Sequence, residues 1–206
     1  MRTTDSSARA TTGTGVSELQ HHALDNLRYI RETMESAASF TAVSGWGMVL
    51  IGATALVAAW VASTAGSTTP WLWTWGLEGA LAIAIGGVAM GLKAREAHQP
   101  LLSGPGKKFV LSFLPAAFVG ALLTTFLVRA GTVSALPGIW MSLYGMAVIA
   151  GGMYSVRAVP VLGTAFLTLG GIALFAPADW GNVLMAVGFG GLHVVFGLVI
   201  TRRHGG

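Results

Sequence analysis

The chain contains no cysteine among its 206 residues. This absence excludes disulfide bonds, thiolate metal sites and cysteine nucleophiles. Charged residues are also scarce, at 10% of the chain, whereas soluble domains typically carry about 25%. Hydrophobic residues make up 53%, and the mean hydropathy is +0.68. Because a chain of this size cannot shield so much apolar surface from water, the composition predicts a membrane protein surrounded by membrane lipid.

The formal charge of +4 does not indicate a nucleic-acid partner. The basic residues flank apolar runs and do not form a surface interleaved with aromatic residues. Residues 1–16 are small and polar, with no apolar core or cleavage signature, so they are not a secretory signal. We predict that they form a disordered cytoplasmic tail.

Residues 17–39 have the periodicity of an amphipathic helix. Apolar side chains recur at steps of three and four residues, for example at Leu27, Ile30 and Met34. The segment carries four acids and only two bases, which disfavours binding to anionic lipid. We predict a cytoplasmic helix that packs under the membrane domain or on a partner, with a simple interfacial helix as the alternative.

Residues 40–206 contain six apolar runs, each close to the roughly 20 residues that cross a hydrocarbon core. The sequence therefore predicts an all-α fold, a bundle of six transmembrane helices preceded by the amphipathic helix. Pro115 is expected to kink the third helix and Pro137 to start the fourth. The predicted spans are 42–63, 71–93, 108–128, 136–156, 158–176 and 180–201.

The distribution of bases predicts the orientation of these spans. With a cytoplasmic N-terminus, eleven lysines and arginines lie inside and only Arg129 lies outside, which satisfies the positive-inside rule. Both termini are then cytoplasmic. Trp71, Trp73, Trp75 and Trp180 are predicted to form an interfacial belt at the outer face.

Glu78 is the acid placed deepest in an apolar run, and an intramembrane acid is a functional candidate. Helical spacing puts Glu78 on one side with Ala82, Gly86 and Ala89, a strip of small residues that favours close packing. We therefore predict that Glu78 faces the bundle. It could belong to a ligand or proton path, or be a structural carboxyl bonded to a neighbouring helix or paired with Arg129.

His193 is the only histidine inside a predicted span. It shares a face with Gly190 and Gly197, a second strip of small residues. An imidazole there could relay protons, contact a ligand, coordinate a metal or haem, or bridge two helices by hydrogen bonds. A single histidine is weak evidence for haem, so we assign no metal site and leave any cofactor unknown. Tyr144 is a further candidate for lining a cavity.

Gly87 and Gly91 form a small-xxx-small pair on the second span, a pattern typical of helix association in membranes. It predicts a homo-oligomer or a larger membrane complex. We find no catalytic constellation, since no span contains two acids and no aspartate lies within a span.

Two stretches, LRYIRETMESAASFTAVSGWG at 27–47 and GGLHVVFGLVITRRHGG at 190–206, resemble a group of uncharacterised small bacterial membrane proteins with an N-terminal amphipathic helix. The resemblance implies a bacterial cytoplasmic membrane. It implies no activity, substrate or catalytic residue.

The leading hypothesis is a non-enzymatic membrane subunit or regulator that acts through helix packing with itself or a partner complex. The alternative is a small transporter or ligand-binding protein using Glu78 and His193. A cavity lined by several polar side chains favours the transporter, whereas dry packing and an apolar outer groove favour the subunit.

Overall fold

The computed structural model describes residues 21–30, 34, 43–96, 104–153 and 155–204. The chain divides into two units, Met1–Ala38 and Ser39–Gly206. In the first unit, residues 21–30 form a helix, α1, whose described side chains are exposed. The predicted tail, 1–16, lies outside the described residues, as do 17–20, 31–33 and 35–39 of the predicted amphipathic helix.

The second unit is helical. Six of its helical stretches are long and apolar enough to cross a membrane, which confirms the predicted all-α fold with six candidate spans. The helices are α2 (Gly45–Ser63), α3 (Thr68–Glu96), α4 (Gly104–Leu111), α5 (Phe113–Ala130), α6 (Leu136–Gly152), α7 (Ala158–Phe175), α8 (Gly181–Met185) and α9 (His193–His204). The third span combines most of α4 with α5, and the sixth runs from Ala178 to Arg203.

Proline accounts for where one helix ends and another begins. α4 ends at Leu111, four residues before Pro115, because proline has no N–H to donate to the Leu111 carbonyl and its ring crowds that position. This lost hydrogen bond separates α4 from α5 at Ser112, whereas the kink expected at Pro115 stays a prediction. Pro137 lies in the first turn of α6. A backbone N–H at that position would have no acceptor within the helix, so proline costs no hydrogen bond there.

Helices α6 and α7 form the most extensive contact in the unit, and glycines spaced by seven residues create it. A methyl group at Gly145 would lie 2.7 Å from the Gly163 carbonyl oxygen, and one at Gly170 would lie 2.9 Å from the Gly138 carbonyl oxygen. Only glycine permits this backbone approach. The glycines are Gly138, Gly145 and Gly152 on α6, with Gly163 and Gly170 on α7.

The first and last spans pack in the same manner. A methyl group at Gly52 would lie 2.7 Å from the Gly190 carbonyl oxygen, and one at Gly197 would lie 2.7 Å from the Gly45 carbonyl oxygen. These glycines are also seven residues apart on each helix. The strip predicted at Gly190 and Gly197 therefore lies against α2.

Helix α3 packs along α2 through the predicted small face, since Gly86 approaches Ile51 and Ala89 approaches Gly47. Helix α5 packs on α6 and has no buried residue.

These contacts define two ends of the bundle. We call the end where α2 begins and α9 ends the basic end, and the opposite one the tryptophan end. Among the described bases of this unit, Arg129 alone lies at the tryptophan end. The basic end carries Lys93, Arg95, Lys107, Lys108, Arg157, Arg202 and Arg203.

Candidate functional site

The centre of the bundle contains a hydrogen-bonded pair formed by two of the predicted residues, the buried His193 and the partly buried Tyr144. The Tyr144 hydroxyl lies 2.7 Å from His193 Nε2, and His193 is only 3% exposed. His193 Nδ1 lies 2.9 Å from the Phe189 carbonyl oxygen. α6 supplies the phenol and the start of α9 supplies the imidazole. The structure thus brings together two candidates that lie 49 positions apart in the sequence.

The Phe189 carbonyl fixes the roles of the two imidazole nitrogens. A carbonyl oxygen can only accept, so Nδ1 carries the proton and donates to it. In the neutral ring Nε2 then has a free lone pair, which accepts the Tyr144 hydroxyl. Both nitrogens are occupied, and the pair has the arrangement of a helix–helix bridge.

Aromatic rings surround this pair. The Tyr144 ring centroid lies 4.7 Å from that of Phe166 and 5.4 Å from that of Phe189. The Phe166 centroid lies 5.3 Å from the imidazole centroid, and Phe113 packs on the outer side of Tyr144. We call these rings, with Tyr144 and His193, the aromatic cluster. Edge and tilted ring contacts add to the hydrophobic burial, so packed aromatic rings surround the hydrogen-bonded pair.

A π-helical segment, Ala186–Leu192, lies directly before His193. Asn182 and Gly190 both face α2, yet eight residues separate them, which in an α-helix places them about 80° apart around the axis. The wider i to i+5 turn of the π segment absorbs this offset. It lets α8 and α9 both lie on α2 while His193 points into the aromatic cluster.

Glu78 faces the bundle as predicted, with 8% of its surface exposed. Its Oε1 lies 2.9 Å from Thr54 Oγ1 on α2. The Thr54 hydroxyl also lies 2.9 Å from the Ile51 carbonyl oxygen, and a hydroxyl has one proton to donate. The Thr54 hydroxyl can therefore donate to the Glu78 carboxyl oxygen or to the Ile51 carbonyl oxygen of its own helix.

Glu78 and His193 belong to separate hydrogen-bonded pairs in the described part of the chain. Arg129, the suggested partner of Glu78, is exposed at the end of α5. The carboxyl is therefore held by Thr54 and not by Arg129.

Asn182 is a structural residue that the sequence analysis missed. Its Nδ2 donates to the Ala59 carbonyl oxygen at 2.8 Å, and its Oδ1 accepts the indole N–H of Trp75 at 3.1 Å. Trp71 also donates to it, at 3.3 Å. One amide thus joins α2, α3 and α8. The only signal in the sequence was a lone amide side chain near the start of the last apolar run.

The prediction that four tryptophans form an interfacial belt is wrong for Trp75. This residue is 5% exposed and packs its ring against Phe189. Trp71 is partly buried and stacks on Trp140, with ring centroids 5.5 Å apart. The Asn182 amide explains the difference, because it offers buried indole N–H groups the acceptor that an interface would otherwise provide.

Two apolar grooves lie on the surface of the described residues. One, of about 340 Å³, lies between α3, α5 and α6 and includes Gly76, Thr124 and Trp140. The other, of about 520 Å³, lies between α7 and the π segment. Neither groove contains Glu78 or His193.

The described residues contain no group of three or more histidines, aspartates and glutamates that could hold a metal ion. Comparisons with protein-family models, curated proteins and solved structures found no match for this chain. The fold itself defines the class, an all-helical protein with six helices able to cross a membrane.

Proposed function

We propose that the chain is a non-enzymatic integral membrane subunit or regulator, which acts by packing its helices against a second copy or a partner complex. The open face of α3 is the observation that carries this proposal. Methyl groups added at Gly76, Gly87 and Gly91 would meet nothing within 4 Å. These glycines fall within about 60° of the helix circumference, on the side opposite Glu78.

Helix α3 has two faces of small residues, and the two faces differ in what they contact. The face with Gly86 lies against α2 and closes the bundle. The open face borders the groove beside α5, a helix with no buried residue. Because glycines allow two backbones to approach closely in lipid, the open face is suited to another transmembrane helix.

The polar groups inside the bundle support a packing role over catalysis or transport. In the described residues, every buried side-chain nitrogen and oxygen has a hydrogen-bond partner. Glu78 is bonded to Thr54 and His193 to Tyr144, and the two surface grooves are apolar. A transporter using Glu78 and His193 requires both side chains to face one polar cavity.

Replacing both Gly87 and Gly91 with leucine should weaken association at least tenfold, because overpacking an interface costs about 1–3 kcal/mol. The measurement is the particle mass of the chain extracted with its surrounding lipid from the expressing membrane. Wild type should exceed the monomer mass and the variant should not, while its unfolding temperature stays unchanged. Gly171→Leu is the matched control, since Gly171 on α7 is also open. A monomeric wild type, or a variant as large as wild type, would refute the packing role.

We further propose that the protein resides in a bacterial cytoplasmic membrane with both termini in the cytoplasm. The grouping of bases at the end where α2 begins and α9 ends supports this orientation. A reporter fused after Gly206 should be cytoplasmic, and one inserted at 66–70 should be external. Detection of both reporters on the same side of the membrane would contradict this topology.

A further inference from the structure

The groove between α7 and the π segment has the length and lining of a site for one lipid chain. It runs along α7 from Val161 to Ile172, with Val187 and Leu192 on the facing wall. Eleven residues at helical rise span about 16 Å. This is about half of the roughly 30 Å hydrocarbon core, so the groove has the depth of one leaflet.

The two threonines in the groove do not make it polar. Thr164 donates to the Pro160 carbonyl oxygen at 3.0 Å, and Thr168 donates to the Thr164 carbonyl oxygen at 2.9 Å. Each hydroxyl proton is thus used within α7. An occupant of this groove finds no free hydroxyl donor there, which favours a hydrocarbon chain over a sugar or an ion.

The segments that form the two walls of this groove lead, toward the basic end, to two exposed arginines, Arg157 and Arg203. Arg157 precedes α7 by one residue and lies four residues before Val161, so both share one side of the helix. Arg203 follows Leu192 by eleven residues and lies within about 20° of it around the axis of α9. Both arginines are exposed. They can reach the level of lipid headgroups, because long basic side chains extend toward a membrane interface.

We propose that this groove binds one anionic phospholipid, with an acyl chain along α7 and the phosphate between Arg157 and Arg203. The apolar lining selects the chain, and the guanidinium groups pair with phosphate oxygens. A headgroup with a net negative charge is preferred, because the cationic group of a zwitterionic lipid would lie near the two arginines and be repelled by them. The proposal depends on membrane insertion and is independent of association between copies.

The test is native mass spectrometry of the purified chain in neutral detergent with equimolar phosphatidylglycerol and phosphatidylcholine of identical acyl chains. Wild type should retain about one phosphatidylglycerol, with about tenfold preference over phosphatidylcholine. The double variant with Arg157→Gln and Arg203→Gln should bind the two lipids equally. Thr168→Trp should lose bound lipid of both kinds, because the indole fills the groove.

Two controls separate this site from general membrane affinity. Arg129→Gln removes an exposed base at the tryptophan end, and Thr125→Trp replaces an exposed threonine whose hydroxyl is likewise bonded to its own helix, at 2.9 Å. Both should match wild type. If the double variant does not fold, the two single arginine variants replace it, each with about threefold lower preference. Equal retention of both lipids by wild type, or full retention by Thr168→Trp, would overturn the proposal.

Discussion

Alanine at Gly170 is expected to destabilise the bundle by about 3 kcal/mol, whereas alanine at the adjacent Gly171 should leave its stability unchanged or raise it by up to about 1 kcal/mol. A methyl group at Gly170 would lie 2.6 Å from the Ser142 backbone nitrogen, so α6 and α7 would have to separate. At Gly171 it meets nothing within 4 Å and contributes only its better helix propensity.

The measurement is the free energy of unfolding of both variants in mixed micelles with increasing denaturing detergent. The two glycines are neighbours on one helix, so insertion, expression and detergent effects are closely matched. Similar losses at both positions would show that the tight contact of α6 with α7 does not limit the stability of the bundle.

Replacing His193 with alanine is expected to cost about 4 kcal/mol, because it opens a cavity among aromatic rings and removes the partner of the Tyr144 hydroxyl. The hydrogen bond from the imidazole to the Phe189 carbonyl oxygen is lost as well. Tyr144→Phe should cost less, about 1–3 kcal/mol, since the ring remains and only one acceptor loses its partner. Glu78→Gln should cost less than about 1 kcal/mol, because the amide oxygen can accept the Thr54 hydroxyl in place of the carboxyl oxygen.

Thermal unfolding of the three variants in one detergent tests this order. A double-mutant cycle between Tyr144 and His193 isolates their interaction, which should be at least about 1 kcal/mol. Additive effects of the two substitutions would show that the hydrogen bond between them is not formed. A Glu78→Gln loss as large as that of His193→Ala would show that the charged carboxylate is required for stability.

The number of spans and the inward face of Glu78 were predictable from the sequence, because both depend on local patterns. The length of the apolar runs predicted six spans, and the helical spacing from Glu78 to Ala89 identified the side of α3 that packs on α2. Pro137 marked the start of α6 for a similarly local reason, the fixed backbone of proline and its missing donor.

The pairing of the helices was harder to predict, because it depends on contacts between distant parts of the chain. The contact between His193 and Tyr144 joins residues 49 positions apart. The periodicity within a single span does not indicate such a contact. The π segment lets Asn182 and Gly190 both contact α2, although a regular α-helix would place them on different sides. The seven-residue glycine spacing of α6 and α7 was visible in the sequence, and it could have indicated that these two spans pack together.

The contact between α2 and α9 places a constraint on biosynthesis. Helices α6 and α7 are neighbours in the chain, so this hairpin can close soon after it is made, with little loop entropy to overcome. Gly45 and Gly52 instead meet Gly197 and Gly190, which are made more than a hundred residues later. During translation α2 is therefore made long before α9, although its other neighbour, α3, follows it directly. The contact that joins the first span to the last can form only after the last span has been made.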